Sequence, residues 1–142
     1  MYSRDHAILS LLIAAAGLAV LDLPFSWPVA LVVALVAGVG IDFDHFVVAA
    51  LVTGSSKNVR RVLGNPTLVI VGQDRIFDAG DLTEEQRLLS HVVIAGVAVT
   101  ALWFPARYWA FVVAVTLYAH VLADLVADVR VELAAEESPT AR

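Results

Sequence analysis

Histidines and aspartates that interrupt apolar stretches are the residues of this sequence best suited to chemistry. Imidazole and carboxylate groups together suit Zn²⁺, Mn²⁺ or Fe²⁺, whereas Mg²⁺ favours oxygen ligands alone. A bound divalent cation would also remove much of the cost of burying carboxylates in an apolar environment. The pattern therefore indicates a metal site, and its candidate ligands are His6, Asp42, His45, His91, His120 and Asp124.

Spacing along the chain places several of these groups on shared helix faces. His120 and Asp124 stand four residues apart, and Asp42 and His45 stand three apart, so each pair shares one face of a regular helix. Asp44 is turned away from Asp42 by about 200° on the same helix. It could join a common site only where the helix ends or unwinds, and two glycines just before this segment favour such an irregularity.

Composition indicates that the apolar segments face lipid. Of the 142 residues, 60% are apolar and 16% are charged, whereas a soluble domain is about 45–50% apolar and about 25% charged. The run at 7–21 has Ser10 as its one polar side chain, which argues against the alternative of a soluble helical bundle. The net charge of −5 argues against a nucleic-acid partner, and the lack of cysteine excludes disulfides and thiolate metal sites.

The apolar runs predict an all-α, polytopic membrane protein with a bundle of about four transmembrane helices. The alternative of a cleaved signal peptide is disfavoured, because Asp5 and His6 interrupt the basic start that such a peptide needs. A capping-box pattern from Thr83 to Gln86 predicts that the third helix begins near Glu84. The predicted single domain covers residues 1–132, with helices at about 6–23, 28–53, 84–104 and 108–129, a cytoplasmic loop at 54–83 and a disordered tail at 133–142.

The distribution of basic residues predicts the orientation of the bundle. Four spans place both termini and the 54–83 loop on one side with all the lysine and arginine residues except Arg107. By the positive-inside rule this side is cytoplasmic, which places the protein in the inner or plasma membrane with both termini inside. At 1.5 Å per residue, Asp42 and His120 lie about 21 Å and about 18 Å from the opposite side. The topology therefore gathers all four histidines at the cytoplasmic leaflet.

The segment at 38–45, GVGIDFDH, resembles the G-x-x-x-D-x-D-H signature of predicted membrane-bound metal-dependent hydrolases. This group contains small inner-membrane proteins, including SOS-regulated bacterial members. His6 is similar to the family's histidine at the start of the first helix. Residues 86–91, QRLLSH, resemble the family's H-R-G-x-T-H-S segment, and residues 119–124, AHVLAD, resemble its S-H-x-x-x-D segment. The resemblance covers most of residues 6–128.

The resemblance implies a metal-dependent hydrolase in which a divalent ion (Zn, Mn or Fe) activates water and polarises a substrate oxygen. Asp44, or alternatively Asp124, would act as general base, and Arg87 would orient an anionic substrate such as a phosphoester. Two positions depart from the family pattern: Gln86 stands for its first histidine and Leu88 for its glycine. These departures are consistent with a weaker site, with one metal instead of two, or with loss of catalysis.

Three functions are compatible with these residues. The first is a hydrolase of a small-molecule or lipid-like substrate that meets the site at the bilayer. The second is a metal or proton transporter, although the polar groups lie at one end and do not line a whole path. The third is a catalytically inactive structural or regulatory membrane protein. Substrate, metal, metal number and oligomeric state stay open at this stage.

Overall fold

The computed structural model describes residues 3–20, 26–69 and 72–137, and every regular element within these ranges is helical. The all-α prediction is therefore confirmed. Short 3-10 turns lie at Ile41–Phe43, Pro66–Val69 and Gln73–Arg75. The α-helices, in chain order, are α1 (Ser3–Val20), α2 (Trp27–Gly40), α3 (Asp44–Thr53), α4 (Lys57–Gly64), α5 (Glu84–Trp103) and α6 (Arg107–Glu137).

The outer surface of the bundle is apolar, and its interior holds polar side chains. Leu12, Val36 and Val97 are 64–65% exposed although they lie in the middle of helices. Exposed apolar side chains around buried polar ones suit helices surrounded by lipid. The largest fully buried side chains are His6, His91, His120 and Thr116. Four helical stretches are long and apolar enough to cross a membrane: Ser3–Val20, Trp27–Thr53, Glu84–Trp103 and Arg107–Ala134.

Helix α6 is the centre of the bundle, since it packs against α1, α2 and α5. Small residues four apart on α2 let the backbones approach closely: Ala30, Ala34 and Gly38 are all buried. An apolar cluster of Ile41, Val113 and Leu117 fills the adjoining part of the interface between α2 and α6. The close approach of these helices fixes the positions of the polar groups that they carry.

The second spanning stretch is not one continuous α-helix. A 3-10 turn at Ile41–Phe43 separates α2 from α3, so the irregularity predicted beside Gly38 and Gly40 is confirmed. Asp42 lies inside this turn, and Asp44 is the first residue of α3. The change of winding thus falls on the two aspartates of the segment.

The predicted loop at 54–83 contains α4 and is held together by charged residues that we call the loop clamp: Lys57, Arg61, Asp78 and Asp81. Lys57 Nζ lies 2.9 Å from Asp78 Oδ2 and 2.8 Å from Asp81 Oδ1. Arg61 Nη1 lies 3.1 Å from Asp78 Oδ1. Hydrogen bonds from Arg61 and Lys57 lower the pKa of Asp78 from 3.8 to about 2. The clamp ties α4 to the segment that leads into α5.

Helix boundaries agree with the prediction at α5 and differ at α6. Helix α5 begins at Glu84, and the predicted capping box is confirmed: Thr83 Oγ1 accepts from the Gln86 N–H at 3.2 Å, and Gln86 Oε1 accepts from the Thr83 N–H at 3.0 Å. Helix α6 continues to Glu137 rather than ending at about 129, since neither glycine nor proline interrupts it there. Residues 138–142 of the predicted tail, and the predicted first-helix end at 21–23, lie outside the described residues.

Candidate metal centre

Three helices each bring one histidine to the carboxylate of Asp124. His6 Nε2, from the first turns of α1, lies 3.2 Å from Asp124 Oδ1. His120 Nε2, one turn earlier on α6, lies 3.5 Å from Asp124 Oδ2. His91 Nε2, two turns into α5, lies 3.8 Å from the same oxygen. The three histidines therefore share one end of the bundle, as the topology predicts.

Asp42 provides a second carboxylate to the same group of histidines. Its Oδ1 lies 3.4 Å from His120 Nε2, 3.5 Å from His91 Nε2 and 4.0 Å from His45 Nε2. His45 comes from the first turn of α3, and its ring stacks on that of His91 with the centroids 4.9 Å apart. One carboxylate oxygen thus faces the Nε2 atoms of three imidazoles.

The nitrogens that face Asp42 lack hydrogen bonds. Within the described ranges, Nε2 of His45, of His91 and of His120 is buried with no hydrogen-bond partner. Buried polar atoms are usually paired, so three unpaired nitrogens in one place require an explanation. Ligand atoms bound about 2.1 Å from a tetrahedral ion are about 3.4 Å apart. The distances of 3.2–3.5 Å given above match this spacing, so the donor set could hold a divalent cation.

We call the candidate metal ligands the cluster; they are His6, Asp42, His45, His91, His120 and Asp124. Asp44 orients His91 from the side of its ring that faces away from the cluster. Asp44 Oδ2 lies 2.9 Å from His91 Nδ1, and both side chains are almost completely buried. A proton on Nδ1 leaves Nε2 as a lone pair that points at Asp42 and Asp124. A carboxylate behind a histidine is the usual partner of a metal-ligating imidazole. Asp44 therefore orients His91, and its Oδ1 also lies 3.6 Å from His45 Nε2.

The backbone of Gly38 orients His120 in the same way. His120 Nδ1 lies 2.7 Å from the Gly38 carbonyl oxygen, so Nδ1 donates and Nε2 is left toward the carboxylates. A Cβ at residue 38 would lie 1.8 Å from Ser10 Oγ and 3.2 Å from Thr116 Cγ2. Ser10 Oγ in turn donates to the His6 carbonyl oxygen at 2.7 Å. A larger residue at position 38 would thus crowd the junction of α1, α2 and α6, one helical turn from the metal-ligand candidates.

Arg87 lies beside the cluster and not in it. Its Nη2 donates to Asp128 Oδ2, one turn beyond Asp124 on α6. The Arg87 side chain lines a cavity, described below, that His6 and Asp42 also line. A guanidinium held in this way offers its remaining N–H groups to an anion in the cavity.

A cavity of about 440 Å³ lies between the cluster and the 54–83 loop. On one side it is lined by His6, Asp42, His45, Asp124 and Arg87. Apolar side chains from the helix α2–α3 region and the loop form much of the rest, including Phe43, Phe46, Ile76, Phe77 and Leu82. Gln73 joins the loop to the start of α1, because its Oε1 accepts from the Ser3 N–H at 2.7 Å. The cluster is therefore reached from a mainly apolar chamber.

The structure brings the predicted site residues close together, but they differ in whether they line the cavity. The six predicted ligands form the cluster. Asp44 lies behind His91 and is not among the described residues that line the cavity, which does not favour the general-base role predicted for it. Asp124, the alternative base, does line the cavity. Gln86 takes part in the cap of α5, so the cluster forms without a side chain from position 86.

Sequence reasoning missed three residues that position the site. The Gly38 carbonyl and the Ser10 hydroxyl left no signal beyond a glycine and a serine in apolar runs, since their contacts depend on how the helices cross. Asp128 could have been found, because its spacing of four residues from Asp124 places it on the same face of α6. It pairs with Arg87.

The helices and side chains define an all-helical chain with four stretches able to span a membrane and a buried His/Asp group that could hold a metal ion. No family model, curated protein or solved structure matches the chain.

Proposed function

We propose that this chain is a membrane-bound, metal-dependent hydrolase whose site lies in the cytoplasmic leaflet. One observation carries the proposal: two carboxylates and four histidines from separate helices converge at the wall of a cavity, and four of their imidazole nitrogens lack a hydrogen-bond partner among the described residues. The sequence resemblance at 38–45, 86–91 and 119–124 supports the same class of activity.

The ligands that would hold the ion come from His6, Asp42, His45, His91, His120 and Asp124. Zn²⁺, Mn²⁺ or Fe²⁺ suits this mixture of nitrogen and oxygen donors. When bound, such an ion supplies a Lewis acid that activates water and polarises a substrate oxygen.

The chain itself contributes the orientation and the burial of the ligand groups. Asp44 and the Gly38 carbonyl hold two imidazoles with Nε2 toward the cluster. His91, His120 and Asp124 are almost completely buried, and low solvent exposure strengthens the electrostatic interactions among them. Asp42 and Asp124 line the cavity and would hold the ion there.

The membrane location and its orientation belong to this proposal. An apolar outer surface on four long helices supports insertion. The concentration of basic residues on the side of the 54–83 loop supports cytoplasmic termini in the inner or plasma membrane.

The cavity favours an amphiphile with an anionic head as the substrate. Phe43, Phe46 and Phe77 offer an apolar wall for an acyl or prenyl chain, and Arg87 offers charged N–H groups for a phosphoester. A lipid-like phosphoester would place its apolar chain against the phenylalanines and its phosphate against Arg87. The bilayer would deliver it at the depth of the cluster.

The transporter alternative has less support. The polar groups of the cluster lie at one end, while Ala30, Ala34 and Val113 fill the interior beyond them. Ser10 and Thr116 each donate to a carbonyl of their own helix, so their hydroxyls extend no path. The alternative of a catalytically inactive protein was based on Gln86, which replaces a histidine of the family pattern. The cluster forms without a side chain from that position, because Gln86 caps α5.

The proposal is tested by metal analysis and hydrolysis assays on protein purified in detergent. We expect wild type to retain Zn²⁺, Mn²⁺ or Fe²⁺ and to hydrolyse a lipid-like phosphoester, and Asp42→Ala and His120→Ala to lose both. Asp74→Asn is the matched control, since Asp74 is an exposed carboxylate at the cavity and outside the cluster. Wild type without bound metal after loading would refute the proposal. Metal binding without hydrolysis of any phosphoester or carboxylic ester would refute its enzymatic part.

A further inference from the structure

The cluster divides into two groups of ligands that share one residue. The first group is formed by His6, Asp42, His120 and Asp124, and the second by Asp42, His45 and His91. Within each group the candidate ligand atoms all lie within 4.8 Å of one another. Asp42 is the member common to both.

The rings are paired in the same way as the groups. The imidazoles of His6 and His120 stack with centroids 3.7 Å apart, and those of His45 and His91 stack with centroids 4.9 Å apart. His91 and His120 meet edge to face at 5.0 Å, which separates the two stacks. Asp42 Oδ1 faces one ring of each stack, at 3.4 Å from His120 Nε2 and 3.5 Å from His91 Nε2.

We propose that the protein binds two divalent cations side by side, with the Asp42 carboxylate bridging them. This inference rests on the proposed metal-dependent function and deepens it. His6, His120 and Asp124 complete the first position, and His45 and His91 complete the second. Asp124 Oδ2, 3.8 Å from His91 Nε2, lies on the boundary between the two positions.

A single ion would leave some of the candidate ligands unused. Structural and catalytic zinc ions take three or four protein ligands, whereas the cluster offers six residues. An ion among His6, His120, Asp42 and Asp124 leaves the His45 Nε2 buried and unpartnered among the described residues. A second ion between Asp42, His45 and His91 satisfies that nitrogen.

The net charge of the buried carboxylates also favours two divalent cations over one. Asp42, Asp44 and Asp124 supply three negative charges, and Asp128 is neutralised by Arg87. One dication would leave the buried group negative and would repel an anionic substrate. Two dications would leave one positive charge, which a phosphoester would neutralise. Paired metal ions that bind both the attacking and the leaving oxygen are common in enzymes that cleave phosphoesters.

The experiment is an equilibrium titration of metal-free, detergent-purified protein with Zn²⁺, read out by isothermal calorimetry and by metal analysis after desalting. We expect two ions per chain for wild type and one for His45→Gln, which removes a ligand of the second position alone. His6→Gln should weaken binding at the first position but keep two ions, since Asp42, His120 and Asp124 remain there. Asp42→Asn should weaken both, by about tenfold or more.

A spectroscopic readout separates a metal pair from two unrelated ions. Two Mn²⁺ ions bridged by one carboxylate are magnetically coupled, so the Mn²⁺ resonance of the wild type should be broadened relative to that of His45→Gln. Circular dichroism of each variant checks that the helices are retained, and a variant that loses helicity is replaced by the corresponding asparagine substitution.

The outcomes distinguish this inference from the proposed function. One ion in wild type, or two ions that His45→Gln leaves unchanged, would overturn the paired site while leaving the metal-dependent function standing. No ion in wild type would overturn both.

Discussion

His91 Nδ1 lies 2.9 Å from Asp44 Oδ2, while Nε2 of the same ring lies 3.5 Å from Asp42 Oδ1. Two aspartates from one short segment therefore contact opposite nitrogens of one imidazole. The 3-10 turn at Ile41–Phe43 makes this possible, because it places Asp42 on the cluster side of the ring and Asp44 behind it. The Asp-x-Asp spacing thus supplies one candidate ligand and one group that orients another candidate ligand.

Removal of the Asp44 carboxylate should weaken metal binding without abolishing it. We expect Asp44→Ala to lower Zn²⁺ affinity about 10–100-fold, the usual effect of losing the partner behind a ligating histidine. Asp44→Asn should lose less, because its amide oxygen still accepts from Nδ1. Competition with a chelator measures the affinity, and Asp128→Asn serves as the carboxylate control. If Asp44→Asn abolished hydrolysis with Zn²⁺ affinity intact, Asp44 would be the base and not a positioning residue.

A methyl group at residue 38 should strain the junction of α1, α2 and α6. The added Cβ would lie 1.8 Å from Ser10 Oγ, so we expect Gly38→Ala to destabilise the protein by about 1–3 kcal/mol, as overpacked cores do. Gly40→Ala is the matched control, since nothing lies within 4 Å of its Cβ. Thermal unfolding in detergent measures the difference.

The same strain should be relieved in part by a second substitution. Ser10→Ala removes the hydroxyl that the new methyl group meets, while the Ser10 Cβ at 3.0 Å remains. Gly38→Ala combined with Ser10→Ala should therefore be more stable than the sum of the two single changes implies. Equal unfolding temperatures for Gly38→Ala and Gly40→Ala would show that the helices do not cross closely at residue 38.

The helix content, the capping box of α5 and the gathering of histidines followed from the sequence. Each depends on local pattern or on counting residues along helices of known rise, and His6, His91 and His120 meet where that counting places them. The role of Asp44 did not follow, because it depends on the local winding of residues 41–43. A rotation of about 200° on a regular helix says only that Asp42 and Asp44 point in different directions.

The contacts within the 54–83 loop could not be predicted from the sequence either. Lys57 and Asp78 are 21 residues apart, and no periodicity connects residues across a loop. The cavity wall depends on this loop, so the apolar character of the chamber could not be inferred before the fold. Pairing of Arg87 with Asp128 similarly requires the crossing of α5 and α6.

Arg87 should act on the substrate and not on the metal. We expect Arg87→Gln to raise KM for a phosphoester amphiphile about 10–100-fold, since a hydrogen bond to a charged group contributes about 1.5–3 kcal/mol. Metal content should be unchanged, because Arg87 is outside both ligand groups. A neutral carboxylic ester of the same chain length is the control. An equal loss on both substrates, or loss of metal, would assign Arg87 to the structure of the site.

The loop clamp should resist acid. The pKa of Asp78 falls from 3.8 to about 2 through its hydrogen bonds from Arg61 and Lys57. A carboxyl with a lowered folded-state pKa stabilises the fold fully above its ordinary value, and this contribution disappears as pH falls through the lowered one. The clamp should therefore persist at pH 4 and open between about pH 4 and pH 2. Carbon-13 NMR of the Asp78 carboxyl measures the midpoint.

A pair of substitutions checks the cause of that shift. Lys57→Gln with Arg61→Gln removes both partners of Asp78, so the midpoint should return toward 3.8. A midpoint near 3.8 in the wild type would mean that the clamp does not form in solution.

The lack of native cysteine makes the topology directly testable. Single-cysteine variants Lys57→Cys and Arg107→Cys should be labelled from opposite sides of the membrane in intact cells and inverted vesicles. We expect an impermeant thiol reagent to reach Arg107→Cys in cells and Lys57→Cys in inverted vesicles. Labelling of Lys57→Cys in intact cells would reverse the orientation and move the site to the outer leaflet.

X-ray absorption of the Zn²⁺-loaded protein in detergent tests the central claim most directly, because it reports the ligands of the ion. We predict a first shell of nitrogen and oxygen at about 2.0–2.2 Å, with the outer-shell scattering of several imidazole rings, and loss of part of that scattering in His120→Ala. A zinc shell of oxygen alone, or a spectrum unchanged by His120→Ala, would contradict a metal centre built from these histidines.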